Sequence, residues 1–410
     1  MTIMTNLGDT PKNFPVGYEF YHPKERLLEI EKSKKRLVIG LPREDYKGEN
    51  RICLTPLTVE MLVNNGHEII IEEGAGLASN YSDREYSEKG AQIVRTKEEI
   101  YQCDIVLQIS PLSSDEIEML KGNQIIMSAL QVHCQCAEDI RKLMYKKVTA
   151  IAFEYLKDRD NHFPVIRSMS EIAGVSAIMI AGEYLSKGKG GKGVLLGGVT
   201  GVSPTEVVIL GAGTAAEYAA RAAMGLGANI KVFDNSMYRL RRMEDHLGQR
   251  IHTSTFHPHV LTKALKSADV VIGALRYEGN HPGTFVTEEM VKEMKPGSVI
   301  IDLSIDQGGC FETSEITTHK NPVFRKHDVI HYCVPNLASH VSRTASLAMS
   351  NICAPLLLHI GNNGGLHQFL KTDMGLRHGT YIYRGILTNQ RLGDCTGILA
   401  KDINLFFASM

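Results

Sequence analysis

The chain has 410 residues, 43% hydrophobic and 22% charged, a globular composition with enough length for two cores rather than one. Its formal net charge of −1 gives no electrostatic basis for binding nucleic acid or an anionic membrane. No apolar run approaches the ~20 residues of a membrane span, MTIMTNLGDTPKNFPVG at the start lacks the apolar core of a secretion signal, and eight cysteines lie scattered at 53, 103, 134, 136, 310, 333, 353 and 395. Free thiols in a reducing cytoplasm are therefore expected.

Residues 1–35 form a polar extension with an aromatic cluster, YEFYHP (18–23), and a charged, helix-patterned run, ERLLEIEKSKK (25–35). RLVIGLP (36–42) predicts a strand, PLTVEMLVNNG (56–66) a helix stopped by Gly66, and HEIIIEEG (67–74) a second strand. CDIVLQI (103–109), NQIIMSAL (123–130) and VTAIAFEYL (148–156) read as further strands. The middle one runs into SALQVHCQC (128–136), which crowds Gln131, His133, Cys134 and Cys136 together. Taken locally, a metal site, a redox pair, a substrate pocket and a plain strand end all fit that cluster. SMSEIAGVSAIMIAGEYLSKG (168–188) reads as a long helix opened by a Ser168-x-x-Glu171 capping box. TEVVIL (205–210), NIKVFD (229–234), ADVVIGAL (268–275), GSVIIDLSI (297–305) and DVIHYCV (328–334) form a second strand series. A second long helix follows, SRTASLAMSNICAPLLLHIG (342–361), which Pro355 is expected to kink. Alternating strands and helices predict an α/β protein with doubly wound parallel sheets. The two long helices between the series predict one domain, 167–342, inserted into another made of 36–166 and 343–410.

The strongest motif is EVVILGAGTAAEYAARAAMGLGANIKVFD (206–234). Its turn, Gly211, Ala212, Gly213, Thr214 and Ala215 followed by Ala216, has the G-x-G-x-x-G/A form of a dinucleotide site. Gly211 permits the tight turn, Gly213 lets backbone approach a pyrophosphate, and Ala216 lets the helix lie close to the strand. The helix N-terminus then offers unpaired N–H groups to the phosphates. Asp234 ends the next strand, where a carboxylate binds the ribose 2′-hydroxyl and disfavours a 2′-phosphate. The expected cofactor is NAD.

Further marked stretches are GENRICLTP (48–56), GAGLASNYSD (74–83), RSMSEIAG (167–174), GVLLGGVTGVSP (193–204), ILGAGTAAEYAA, IDQGGCFETSEITTH (305–319) and HYCVPN (331–336). Through them the chain, from residue 36 to about 360, resembles the alanine dehydrogenase family, which is related to the NAD-binding subunit of proton-pumping transhydrogenase. The last two stretches favour alanine dehydrogenase over the transhydrogenase subunit. The resemblance implies two Rossmann-like domains flanking an interdomain cleft, with the NAD domain inserted into the substrate domain, and a homo-oligomer, usually a hexamer. It implies reversible NAD-dependent oxidative deamination of L-alanine to pyruvate and ammonia. By position, Arg51 would grip the substrate carboxylate, a bidentate task suited to a guanidinium. Asp306 would be the catalytic aspartate beside the nicotinamide, and Asn336 would serve both nicotinamide and substrate. Ser170, Asp234 and Arg239 would contact the cofactor, with Ala274 and Leu275 lining its groove. Cys310 and Cys333 are read as packing residues.

The family pattern breaks at two places. Its substrate lysine corresponds to Ser110 in LQISPL (107–112), and its catalytic histidine to Gln131. Loss of the ammonium leaves Arg51 alone against the carboxylate, and an amide shuttles no protons near neutrality. If the strand continues, positions 131 and 133 face the same side, so His133 either reaches the cleft or lies past the strand end in solvent. No metal is expected, because adjacent strand residues point to opposite faces and no second ligand pair at zinc-like spacing appears. Three functions follow: an alanine dehydrogenase, a relative acting on another amino or oxo acid, or an NAD-binding protein with little turnover.

Overall fold

A computed structural model describes residues 34–44, 48–132, 135–275 and 285–408. His133, Cys134 and most of the N-terminal extension, with its expected helix, lie outside the described residues.

The first strand series is β1 (Val38–Leu41), β2 (Glu68–Glu72), β3 (Gln92–Val94), β4 (Ile105–Leu107), β5 (Ile125–Ser128) and β6 (Thr149–Ala152). The second is β7 (Glu206–Leu210), β8 (Asn229–Phe233), β9 (His252–Ser254), β10 (Val270–Gly273), β11 (Val299–Asp302), β12 (Val323–Lys326) and β13 (Val329–Tyr332). The chain then returns to the first sheet as β14 (Thr380–Tyr383) and β15 (Ile386–Leu387). The sheet orders are β15-β14-β6-β5-β4-β1-β2-β3 and β12-β13-β11-β10-β7-β8-β9. Within each, six parallel strands follow the doubly wound order 3-2-1-4-5-6, counted within its own series. Antiparallel additions flank the sixth strand, β14 beside β6 and β12 beside β13. Central strands such as β10 (VVIG) and β6 (TAIA) are buried along their whole length, as expected where helices cover both faces.

The helix Pro56–Asn64 stops where Gly66 takes a left-handed φ of 88° and donates its N–H to Val63. The first long helix spans Pro164–Leu185, so it starts four residues before the expected capping box. Pro164 occupies its first turn, where a fixed φ and a missing N–H cost nothing, and Ser168 lies inside the helix. Val165 packs in the first sheet's core, while Ala177, Ile178, Ala181 and Leu185 pack in the second's. The second long helix, Ser342–Asn362, runs through Pro355 without interruption. It carries the chain back, with Leu337 just before it in the second core and Met349, Cys353, Leu357 and Ile360 in the first. Contrary to the sequence expectation, both segments have the length and apolar composition of a membrane span. Here they pack against the two sheets.

Candidate functional site

The glycine turn joins β7 to the helix Thr214–Gly225. Gly211 has φ +108°, and a Cβ there would lie 2.5 Å from the Ala274 carbonyl oxygen at the end of β10. Both facts require glycine. A Cβ on Gly213 would meet nothing within 4 Å, so the backbone before Thr214 faces open space. Asp234, buried at the end of β8, accepts the Ala212 N–H at 2.8 Å and the Ser236 N–H at 2.7 Å. Each carboxylate oxygen keeps a lone pair for a ribose hydroxyl. Gly174 lets the first long helix touch the turn's own helix, since a Cβ there would sit 2.2 Å from the Ala215 oxygen. That crossing places Ser170 one turn away, on the same helix face as Gly174. Arg239, exposed, lies in the first turn of the helix Met237–Leu247 after β8, with its N–H on Ser236 Oγ at 3.3 Å. Leu275 lies beside the turn, its Cδ2 3.4 Å from where a Cβ on Gly211 would sit, and its carbonyl accepts from Ser304 Oγ at 2.6 Å. Narrow turn, open helix N-terminus and strand-end carboxylate together fit a dinucleotide.

The other wall is built from the loop after β1. Ile52 and Thr55 donate their N–H groups to Ser346 and Ser350, hydroxyls on the returning long helix, at 2.9 Å each. Just before that helix, Ser339 Oγ donates to the Gly48 carbonyl at 2.7 Å and accepts the Asn50 N–H at 2.8 Å. This lacing fixes Arg51, whose Nε and Nη2 donate to the two oxygens of Glu49 at 2.7 and 2.6 Å. Nη1 faces Met169 Sδ at 3.1 Å. Glu49 also accepts from Asn336 Nδ2 at 2.7 Å. Burial pushes the Glu49 carboxyl up, but the Arg51 hydrogen bonds and charge, with Asn336, outweigh it and hold it below the usual range. Asn336 sits at φ +56°, a left-handed conformation asparagine tolerates, and its backbone N–H donates to Asp306. Asp306 lies in the short 3₁₀ turn Ile305–Gln307 after β11 and stays open to solvent. Neighbouring protein groups strip part of its water and raise its carboxyl, with the Asn336 amide and the Arg51 charge pulling the other way. One connected cluster thus runs from Arg51 on the first sheet's side to Asp306 on the second's.

Two family models cover almost all of this framework. The alanine dehydrogenase/PNT N-terminal domain matches residues 40–173, and the alanine dehydrogenase/PNT C-terminal domain matches 177–390. The chain belongs to the alanine dehydrogenase/PNT family. Among curated relatives, alanine dehydrogenase of Staphylococcus saprophyticus is 38% identical over 369 residues, covering 90% of this chain and 99% of that protein. The Methanococcus maripaludis enzyme is 41% identical over 330 residues, 80% of this chain and 88% of its own length. The Bacillus subtilis enzyme is 39% identical over 363 residues, 88% and 95%. A solved L-alanine dehydrogenase superposes with a TM-score of 0.81 at 33% identity, covering 88% of this chain and 99% of that one. A transhydrogenase from Sinorhizobium meliloti, at 22% identity and TM-score 0.73, covers 85% and 98% and shares the fold.

Within this alanine dehydrogenase/PNT framework several expectations change. The Nε/Nη2 edge of Arg51 is taken by Glu49 and Nη1 also donates to Met169 Sδ, so only one remaining proton on each of Nη1 and Nη2 is left for another acceptor. Strand β5 ends at Ser128, and Gln131 is left-handed at φ +47°. The pleat argument that put positions 131 and 133 on one face therefore fails, and His133 is outside the described residues. Glu154 Oε1 accepts the N–H groups of Leu130 and Gln131, both at 2.8 Å, which pins this turn and leaves Gln131 exposed. Cys136 caps the helix Ala137–Tyr145: Asp139 donates its N–H to Sγ at 3.4 Å, and Sγ donates to Asp139 Oδ2 at 3.1 Å. That thiol therefore serves as a helix cap. Ser110 is buried after β4 and donates its N–H to Glu44 Oε2 at 3.2 Å. Cys310 and Cys333 are buried with raised thiols, as packing residues are.

Sequence reasoning missed Glu49, which stands two residues from Arg51 inside a quoted motif, and Glu44, an acid directly after a strand end where open α/β sheets place ligands. It also missed His319, whose two ring nitrogens are enclosed without a hydrogen-bond partner and which stacks on His340 at 5.9 Å. No local pattern marks His319 as part of this region; Gly48, whose Cβ would lie 3.3 Å from its ring, brings it there.

Proposed function

We propose that the chain catalyses the reversible NAD-dependent oxidative deamination of L-alanine to pyruvate and ammonia. The observation that carries this reading is the Arg51–Glu49–Asn336–Asp306 cluster, with Asp306 after β11 and a glycine turn fitted to a dinucleotide after β7, parallel strands of one sheet on either side of β10. The Arg51 end-on edge holds the substrate carboxylate, Glu49 keeps that guanidinium oriented, and Asn336 ties both to Asp306. Asp306 stands where charge changes at the reacting carbon. Ser170, the turn from Gly211 to Ala215, Asp234, Arg239, Ala274 and Leu275 bind the cofactor, and bound NAD supplies the hydride acceptor. Residues 36–166 with 343–410 form the substrate domain, 167–342 the NAD domain, and 1–35 an extension.

A second reading, a relative acting on another amino or oxo acid, draws on the neutral Ser110 and Gln131 on the substrate wall. Nicotinamide absorbance with alanine and NAD, with pyruvate, ammonia and NADH, and with an amino-acid panel separates the two. Robust alanine turnover supports the first reading and turnover of another acid alone the second. Tight NADH binding without turnover on any substrate overturns both. Exposed apolar side chains one helical turn apart, Val175 and Met179, support a homo-oligomer, which we take to be a hexamer and light scattering tests. Buried free thiols at Cys53, Cys310, Cys333 and Cys353 support a cytoplasmic location.

A further inference from the structure

We propose that Glu44 is the proton acceptor of the substrate wall, taking the proton that the substrate ammonium must lose before its α-carbon is oxidised. This rests on the dehydrogenase reading above. Glu44 follows β1, and its carboxylate receives the N–H of Ile109 and, at 3.2 Å, that of Ser110, both just after β4. β1 and β4 are the neighbours at which the first sheet's strand order reverses, where an open α/β sheet leaves its crevice. The gripping loop is itself fixed. Gln108 Nε2 donates to the Ser110 carbonyl at 3.0 Å, and the buried Tyr101 hydroxyl donates to Gln108 Oε1 at 3.0 Å. Glu44 remains partly exposed, and with the Ser110 hydroxyl as a third donor its carboxylate keeps one lone pair.

Other candidates fall away on geometry. Glu49 is committed to Arg51 and Asn336. Ser110 and Gln131 do not titrate near neutrality. The ring nitrogens of His319 are enclosed and open to no ligand. Asp306 stands on the opposite wall, after β11. Glu49, Arg51 and Cys53 from the loop after β1, and Tyr101 ahead of β4, interact electrostatically with Glu44. Its hydrogen-bond donors are all neutral. Burial, with the Glu49 charge adding to it, therefore raises the carboxyl to about 7 against the pull of those donors. A base near the working pH both accepts and releases protons readily.

In the step, an ammonium N–H bond breaks, its electron pair stays on nitrogen, and an O–H bond forms on Glu44. The Cα–H pair then leaves as hydride, oxidising the substrate to an iminium while the nicotinamide is reduced. Water adds to the iminium carbon and one of its protons passes to nitrogen; the C–N bond breaks, ammonia departs with its electron pair, and the remaining O–H proton goes to solvent as the carbonyl of the oxo acid forms. The proton on Glu44 returns to solvent.

The test is the pH profile of kcat/KM for alanine in wild type, Glu44→Gln and Glu44→Asp, with NADH affinity measured by fluorescence. Wild type should lose activity as pH falls through about 7. Glu44→Gln should lose ~10²–10⁴-fold above neutrality and lose that limb, with NADH affinity unchanged, while Glu44→Asp keeps the limb. Glu44→Gln within about threefold of wild type, or slowed with the limb intact, overturns the proposal and leaves the dehydrogenase reading standing. Wild type inactive on every substrate removes that reading and this one together. A second readout needs no variant to work: carboxyl NMR of wild type labelled at glutamate. A resonance titrating near 7 and assigned to Glu44 through its Ser110 neighbour supports the proposal, and Glu44 titrating in the ordinary glutamate range overturns it.

Discussion

Arg51 and Glu49 show how much one pair decides. Their side chains are 11% and 3% exposed, so neither charge is solvated well on its own. Glu49→Gln leaves the guanidinium without its counter-ion and should cost roughly 3–5 kcal/mol, read by denaturant unfolding, while raising KM for the substrate as Arg51 loses its orientation. The pH dependence follows from the same pair. Glu49 in the folded chain lies below its ordinary 4.5, so through that window the unfolded state binds more protons. The pair's contribution is full above pH 4.5 and lost as pH falls through the folded value, so wild type should lose Tm on acidification more steeply than Glu49→Gln. At the cofactor turn, Gly211→Ala faces both a left-handed φ and the Ala274 oxygen. It should cost at least ~1–3 kcal/mol and sharply weaken NADH binding, measured by thermal unfolding and fluorescence titration. Asp234→Ala frees the Ala212 and Ser236 N–H groups and should weaken NADH binding while leaving the substrate wall intact.

At the scale of elements, the first long helix matters through its crossing with Thr214–Gly225. Gly174→Val puts side-chain atoms where Ala215 and Ala219 backbone already stand. The variant should lose stability and NADH affinity together, though residue 174 need not touch the cofactor; unchanged affinity in a folded variant would refute this coupling. Helices and strands with strong apolar patterns were legible in the sequence, including β7, β8, β10, β11 and the long helix from Ser342. The short strands β3, β9 and β12 were not. β9 reads His-Thr-Ser, a three-residue edge strand with no apolar alternation to mark it. The helix start at Pro164 was misread because a capping-box pattern is common by chance, and a proline at the first turn outweighed it.

For the whole molecule, the chain crosses between sheets twice, and its last segment closes the first one. β14 pairs antiparallel with β6, which would otherwise be an open edge. Deleting residues 380–408 should therefore yield an aggregating protein, detected by light scattering, even though no site residue is removed. The sequence by itself determined the fold class and the glycine turn after β7, because strand periodicity and a glycine turn are local chemistry, and it named Arg51, Asp306 and Asn336 as candidates, because family motifs are contiguous. Tertiary structure alone decided that Glu49 occupies the bidentate edge of Arg51, that Ser339, Ser346 and Ser350 hold the Arg51 loop from almost 300 residues away, and that β5 ends before Gln131. It also joined Glu44 to Ser110 across two strands distant in sequence. Those are pairings between groups whose separation along the chain carries no signal, and only closing both sheets sets their distances.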